Sequence, residues 1–435
     1  MTRPAEDAPF RAGWPIAAWA LWECGAAGLS AIVSTFVFTV YLTTSVGVGL
    51  PGSTSPASWL GRAAAAAGLT VALMAPGVGV WVGSPHRRRV ALSVLTAGPV
   101  AAAAAMALIR DRPSYFWAGL ALLAVGAACA DLASIPYNAM LRPLSTPQTV
   151  GRISGIGAAA GFLGSVLLLL LIYAGFIAGD GPRRGLLHVA VHDGLNVRLA
   201  MLAAAAWFAL LALPLLMIVR RLPDADEVHG GSSLLGGYRT LRLEVVEAWR
   251  TNRNLVKFLV ASALFRDGIS AMFGFGAVLG VKVYGVSQSQ VLIFGVAACT
   301  AAALGSVLGG FVDHRIGSTR VIVGSLTVVL ASALAMLALS GPVAFWACGL
   351  VLLLFIGPVL ASSRTLLLRL AEPGKEGVAF GLYTMTGRAA AFIAPWFFSV
   401  FVDLFGTTRA GLGGIILVLA AGFVAMLGVR APTAE

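Results

Sequence analysis

The sequence predicts an all-α membrane protein of twelve transmembrane helices, arranged as two related six-helix halves. Three observations carry that prediction. Of 435 residues, 59% are hydrophobic and 11% charged, against about 45–50% and about 25% in ordinary soluble chains. Twelve apolar runs are long enough to cross a hydrocarbon core of about 30 Å. The two halves also echo each other at a fixed offset in sequence.

The runs lie near residues 17–43, 59–83, 90–109, 114–138, 151–176, 198–219, 255–281, 289–312, 320–340, 343–368, 377–402 and 409–429. A short polar lead with Arg3 and Arg11 precedes the first run. That run is too long for a cleaved h-region and lacks a small-residue cleavage site, so it is expected to stay as the first span. The loop at Gly341-Pro342 is the shortest, dividing spans nine and ten. The 52 glycines sit inside apolar runs beside Ala, Leu and Val, where small residues let helices approach closely in lipid.

One long polar segment, residues 220–254, divides the chain into 1–219, an N-terminal six-helix bundle, and 255–435, a C-terminal one. Within it Leu234, Tyr238, Leu241, Val245 and Trp249 recur at helical spacing opposite Arg239, Arg242, Glu247 and Arg250. This predicts an amphipathic tether on the membrane surface. A shift of 226 residues places Pro147 on Pro373, Gly151 on Gly377, Gly155 on Gly381 and Gly161 on Gly387. The approach to span five therefore has its counterpart in the approach to span eleven.

The net charge of +12 is explained by short basic loops on one side of the membrane. With both termini cytoplasmic, twenty of the thirty Lys and Arg residues fall inside and eight outside, as the positive-inside rule requires. No basic stripe is interleaved with aromatic residues, so no nucleic-acid partner is expected. Cys24, Cys129, Cys299 and Cys348 lack ligand spacing, and the five histidines lie in or beside loops. No metal site, no cofactor and no catalytic set is expected.

Ionisable groups inside apolar spans cost a few kcal/mol and mark functional positions. Five stand out: Glu23, Asp131, Arg266, Asp267 and Arg388. Glu23, Ser30, Ser34 and Tyr41 recur on one helical stripe, which reads either as a wall for solute and protons or as Glu23 capping or pairing a nearby loop. Asp267 lies at a comparable depth in span seven, with Arg266 turned about 100° away. Asp131, Ser134 and Asn138 recur near the inner end of span four, flanked by Arg142 and Arg152, as gate ion pairing or a proton relay would require. Arg388 is a candidate for an anionic group or a buried acid. A desolvated carboxyl exchanges protons closer to neutral pH, which would suffice for coupling.

The segment GGFVDHRIGSTR, Gly309 to Arg320, resembles the loop signature of the major facilitator superfamily through Gly310, Asp313, Arg315, Gly317 and Arg320. That resemblance implies a cytoplasmic gate latch. Asp313 closes a helix against its macrodipole and is expected to have basic partners. The matching first-half loop, Gly79 to Arg89, keeps the basic cluster but has Gly83 in the Asp position. A narrower resemblance covers most of the chain. Trp19 to Leu42, Tyr137 to Gly157, RDGISAMFGFG in span seven and FGLYTMTGRAAAFIAP in span eleven are similar to the vacuole-effluxer-like branch. Here Glu23 replaces an Asp, Ala26 and Ala27 replace an Asn-Ser pair, and Arg388 replaces a Lys.

The resemblance implies a major facilitator fold and a secondary transporter that exports a small solute, an amino acid or related metabolite. No nucleotide-binding loop is present, so proton coupling is the expected energy source; a multi-pass protein of the cell (plasma or inner) membrane, not an enzyme, is expected. Glu23, Asp267 and Asp131 are the candidate proton carriers. A drug or metabolite exporter and a non-transporting sensor or scaffold on the same fold are the alternatives.

Overall fold

The computed structural model describes residues 13–51, 54–179, 181–219 and 252–430. Twelve helices are long and apolar enough to cross a membrane: α1 Gly13–Val46, α2 Pro56–Trp81, α3 Pro85–Met106, α4 Pro113–Ala139, α5 Val150–Ile177 and α6 His192–Val219. They continue with α7 Arg253–Lys282, α8 Ile293–Ile316, α9 Ser318–Ala338, α10 Pro342–Leu370, α11 Glu376–Phe405 and α12 Thr408–Leu427. The amphipathic pattern expected between residues 220 and 251 lies outside the described residues, as do Arg3 and Arg11.

Local chemistry sets the helix ends. Ser55 and Ser84 cap α2 and α3 ahead of Pro56 and Pro85, the arrangement in which a proline's missing N–H costs nothing. Ser287 and Gln290 form a reciprocal capping box ahead of α8. The 8–9 and 9–10 loops turn through Gly317 and Gly341 at φ 86° and 89°, a conformation that glycine adopts without a Cβ clash.

Two helices depart from regular geometry at mid-depth. In α1, a π-helical stretch runs over Ala31–Phe36, and a second, Leu42–Val46, ends the helix. α11 is broken into Glu376–Ala390 and Ile393–Phe405.

The helices pack as two groups of six. α1 lies on α5 and α6, and α3 on α4 and α6; in the second group α10 packs on α8 and α9, and α12 on α7, α9 and α11. Between the groups, α5 meets α8 and α10, and α2 meets α11. Asn254 bonds the backbone of Arg430 in both directions, at 2.7 and 2.8 Å, so the start of α7 and the end of α12 share one end of the bundle. The 2–3, 4–5, 8–9 and 10–11 loops lie at that same end.

Leu69, Leu73, Leu171, Leu210 and Val424 are exposed on the outer helix faces. In water such a band would be a liability; membrane lipid is its solvent.

Candidate functional site

The halves are sealed at the loop-bearing end by backbone contact. A Cβ on Gly79 would lie 2.5 Å from the Gly377 carbonyl oxygen, and one on Gly155 would lie 2.4 Å from that of Ser306. Ser154 Oγ, fully buried, donates to the Ala361 carbonyl at 2.7 Å. Arg142 reaches from the 4–5 loop to the Leu368 and Ala371 carbonyls, at 2.9 and 3.0 Å, and pairs with Glu376 at the start of α11.

The latch residues divide unequally. Asp313 is fully buried and paired with Arg369 at 2.7 Å. Arg369 also donates to Ser318 Oγ at 2.6 Å and approaches the Pro147 carbonyl of the other half at 3.5 Å. Arg315 and Arg320 are exposed and make no ion pair among the described residues. Arg152 stacks over Phe311, 5.1 Å from the ring centroid. Gly317 makes the turn. With Gly83 in the first-half loop, Arg142 has no acid there and turns instead to Glu376.

Farther in, two ion pairs cross between the halves. Glu23 of α1 meets Arg364 of α10 at 2.5 Å, with side chains 17% and 18% exposed. Asp131 of α4 meets Arg388 of α11. Both acids belong to the first half and both bases to the second. Gly157 and Gly161 of α5 make room for this arrangement: a Cβ at 157 would strike the Trp19 ring at 2.2 Å, and one at 161 would lie 3.1 Å from Glu23 Cγ. Tyr137 stacks between Trp19 and Trp22, with centroids 4.7 and 4.1 Å away. Its hydroxyl donates to the Trp19 carbonyl at 3.2 Å.

Asp267 is 4% exposed and accepts from the Ala394 amide at 2.7 Å. It therefore caps, from α7, the second segment of the broken α11, where unpaired amides concentrate positive charge. Asn has an equivalent acceptor oxygen. Asp267→Asn is expected to keep the unfolding midpoint in detergent close to wild type, and Asp267→Leu to cost about 1 kcal/mol as a lost cap; differential scanning fluorimetry checks both. Arg266 lies over the Tyr383 ring at 3.8 Å and donates to the Tyr383 carbonyl at 3.1 Å. Asn138 donates to the Ser134 carbonyl at 2.7 Å, a local bond within α4.

Above the Asp131–Arg388 pair a cavity of about 510 Å³ runs between α1, α2 and α4, with Ser30, Ser34 and Thr39 on its α1 wall. It reaches Ala57 and Leu60 near the start of α2, so it extends toward the end opposite the seal. The expected stripe of Glu23, Ser30, Ser34 and Tyr41 is not realised as one face. Ser30 and Ser34 line the cavity and Glu23 turns to Arg364; beyond the wider π-helical turns that begin at Ala31, the Tyr41 hydroxyl bonds the Ile109 carbonyl at 3.3 Å.

Residues 145–435, two thirds of the chain, match the family described as "Vacuole effluxer Atg22 like". The chain belongs to the Atg22-like vacuole effluxer family. A relative in Bacillus subtilis (strain 168), an uncharacterized MFS-type transporter YxiO, is 22% identical over 412 residues, covering 93% of this chain and 92% of that one. Autophagy-related protein 22 of Cryptococcus neoformans is 27% identical over 297 residues, 62% of this chain and 51% of that one. The chain thus spans about half the length of that fungal relative.

Among solved structures, the proton:xylose symporter XylE superposes with a TM-score of 0.73 at 14% identity, covering 97% of this chain and 96% of that one. A bacterial homologue of the iron transporter ferroportin, in its outward-facing state, gives 0.70 at 14%, covering 96% and 98%. Both likenesses establish the major facilitator fold. This Atg22-like chain is a multi-pass membrane transporter and not an enzyme.

Sequence reasoning on this effluxer-family chain missed Arg364, Arg369 and Glu376. Arg364 lies inside the apolar run of span ten, and the rule that singled out Glu23 applies to it equally. Nothing in local sequence pairs Arg142 with Glu376, because that contact depends on how the two halves meet.

Proposed function

We propose that the chain is a secondary active transporter that exports a small solute, an amino acid or related metabolite, by alternating access coupled to protons. The observation that carries this reading is the pair of interhalf ion pairs, Glu23–Arg364 and Asp131–Arg388, the second of them lining a cavity closed at one end. Opening the sealed end separates the halves and would strip these charges of their partners. An unpaired buried charge costs about 3–5 kcal/mol. A proton on Glu23 or Asp131 neutralises the acid of its pair, and a solute bringing a negative charge takes that acid's place beside the arginine. Occupancy and conformation are thereby linked.

In this reading residues 1–219 and 255–435 are the moving units and 220–254 tethers them. The charge bias supports cytoplasmic termini, which makes the sealed end cytoplasmic and the cavity outward-open. The near full-length bacterial relative supports the cell membrane as its location. The apolar wall formed by Leu29, Val33, Leu60, Leu123 and Phe208 favours a second reading, export of a bulkier drug-like metabolite.

The test is flux in sealed proteoliposomes with a labelled panel of amino acids and apolar metabolites, with and without a pH gradient. Wild type should concentrate at least one solute when the gradient is imposed. Glu23→Gln should lose gradient-driven accumulation about tenfold while keeping downhill flux, and Asp267→Asn should keep both. A wild type that moves no solute under either condition defeats the transport reading.

A further inference from the structure

We propose that a small polar cavity between α4, α7 and α11 is an anion subsite, in which the Arg266 guanidinium receives one carboxylate- or halide-sized negative group. The cavity measures about 180 Å³ and is lined by Asp131, Ser134, Arg266, Ser270, Thr384 and Arg388 among others. Liquid water occupies about 30 Å³ per molecule, so there is room for a carboxylate and a few waters.

The cavity's charges are not matched pair by pair. Asp131 is engaged by Arg388. Asp267, which also borders the cavity, accepts the Ala394 amide and so faces the positive end of a helix segment. Arg266 is left with no carboxylate within ion-pair distance among the described residues; its one protein hydrogen bond runs from Nη1 to the Tyr383 carbonyl. Gly387 admits the guanidinium against α11, since a Cβ there would lie 3.0–3.2 Å from Nη1, Cζ and Nη2. Among the described residues the remaining donors of the fork have no protein acceptor, and the guanidinium's other contact is with the face of the Tyr383 ring.

A guanidinium at this depth without an anion is costly. Its planar fork suits a carboxylate better than any other side chain does, and the Ser270 and Thr384 hydroxyls add donors on the same wall. This deepens the transport reading by assigning the charge of one group bound beside the acid–base pairs. The binding itself requires no transported solute to be known.

The experiment follows thermal unfolding of the full-length protein in detergent while chloride or acetate replaces a bulky sulfonate at constant ionic strength. Wild type should show a saturable rise in midpoint. Arg266→Gln should abolish it, Arg266→Lys should retain it with about tenfold weaker affinity, and Arg112→Gln, at an exposed loop position, should leave it unchanged. Thr384→Val should weaken affinity about tenfold, which keeps the test decisive if Arg266→Gln fails to fold. A response to both anions identifies the group as a solute carboxylate, and a response to chloride alone identifies a companion ion. No saturable rise in wild type, an equal rise in Arg266→Gln, or an unchanged affinity in Thr384→Val overturns the proposal.

Discussion

Replacing Gly155 by leucine is expected to hold the sealed end of the bundle open and to abolish concentrative transport. At this position α5 and α8 touch backbone to backbone, and even a Cβ would lie 2.4 Å from the Ser306 carbonyl oxygen and 3.2 Å from Gly310 Cα. The neighbouring atoms are backbone and cannot rotate away. Overpacking of this kind costs about 1–3 kcal/mol. Because the clash exists only when the halves are closed, that cost shifts the conformational equilibrium by about tenfold to a hundredfold instead of unfolding either half. Gly79→Leu should act the same way at the related seam, where the Gly377 carbonyl oxygen is 2.5 Å from the added carbon. Labelling of a cysteine placed at Ser306, in a background lacking the four native cysteines, reads the shift; labelling no faster in Gly155→Leu than in its parent contradicts it.

Breaking the Glu23–Arg364 pair should have the second large effect. Both side chains are more than four-fifths withdrawn from solvent, so either single change, Glu23→Gln or Arg364→Gln, leaves one buried charge without its counterpart, at about 3–5 kcal/mol. Changing both leaves two neutral amides that can still bond each other. The double variant should recover most of the lost stability, giving a coupling energy of about 1–3 kcal/mol in a double-mutant cycle. It should not recover accumulation driven by a pH gradient, because the carboxyl that carries the proton in the proposed cycle is gone. Strictly additive losses would mean that the two residues do not act as a pair.

The fold was legible in the sequence because each span must satisfy its own backbone in lipid, and that constraint writes a long apolar run for every helix. The repeat was legible for a related reason. Gly155, Gly377 and Gly381 are fixed by backbone contact at the seams and Gly151 by the Asp313 side chain, and contact leaves no freedom for a larger side chain.

The site was legible only in part. Glu23, Asp131 and Arg388 could be named, since a charge in an apolar run stands out. Their partners could not, because an ion pair across two halves has no sequence spacing. The α1 stripe failed for a different reason: helical periodicity assumes a uniform turn, and the π-helical stretch at Ala31–Phe36 changes the register between Glu23 and Tyr41. Asp267 was visible as a buried acid, but its position against the Ala394 amide depends on the break in α11 ahead of Pro395, which has no N–H to offer the Ala391 carbonyl, and on how α7 packs beside that break.

The most direct test of the central claim, that the two halves rock about charged pairs at their midplane, is a distance measurement across the sealed end. Spin labels at Gln148 and Arg315, both exposed, report separation of the 4–5 loop from the end of α8 by double electron–electron resonance in lipid nanodiscs. A short distance is expected in wild type at high pH, a second and longer distance gaining population as the pH falls, and predominance of the longer distance in Glu23→Gln at every pH. A single distance, unchanged by pH and by Glu23→Gln, would contradict it.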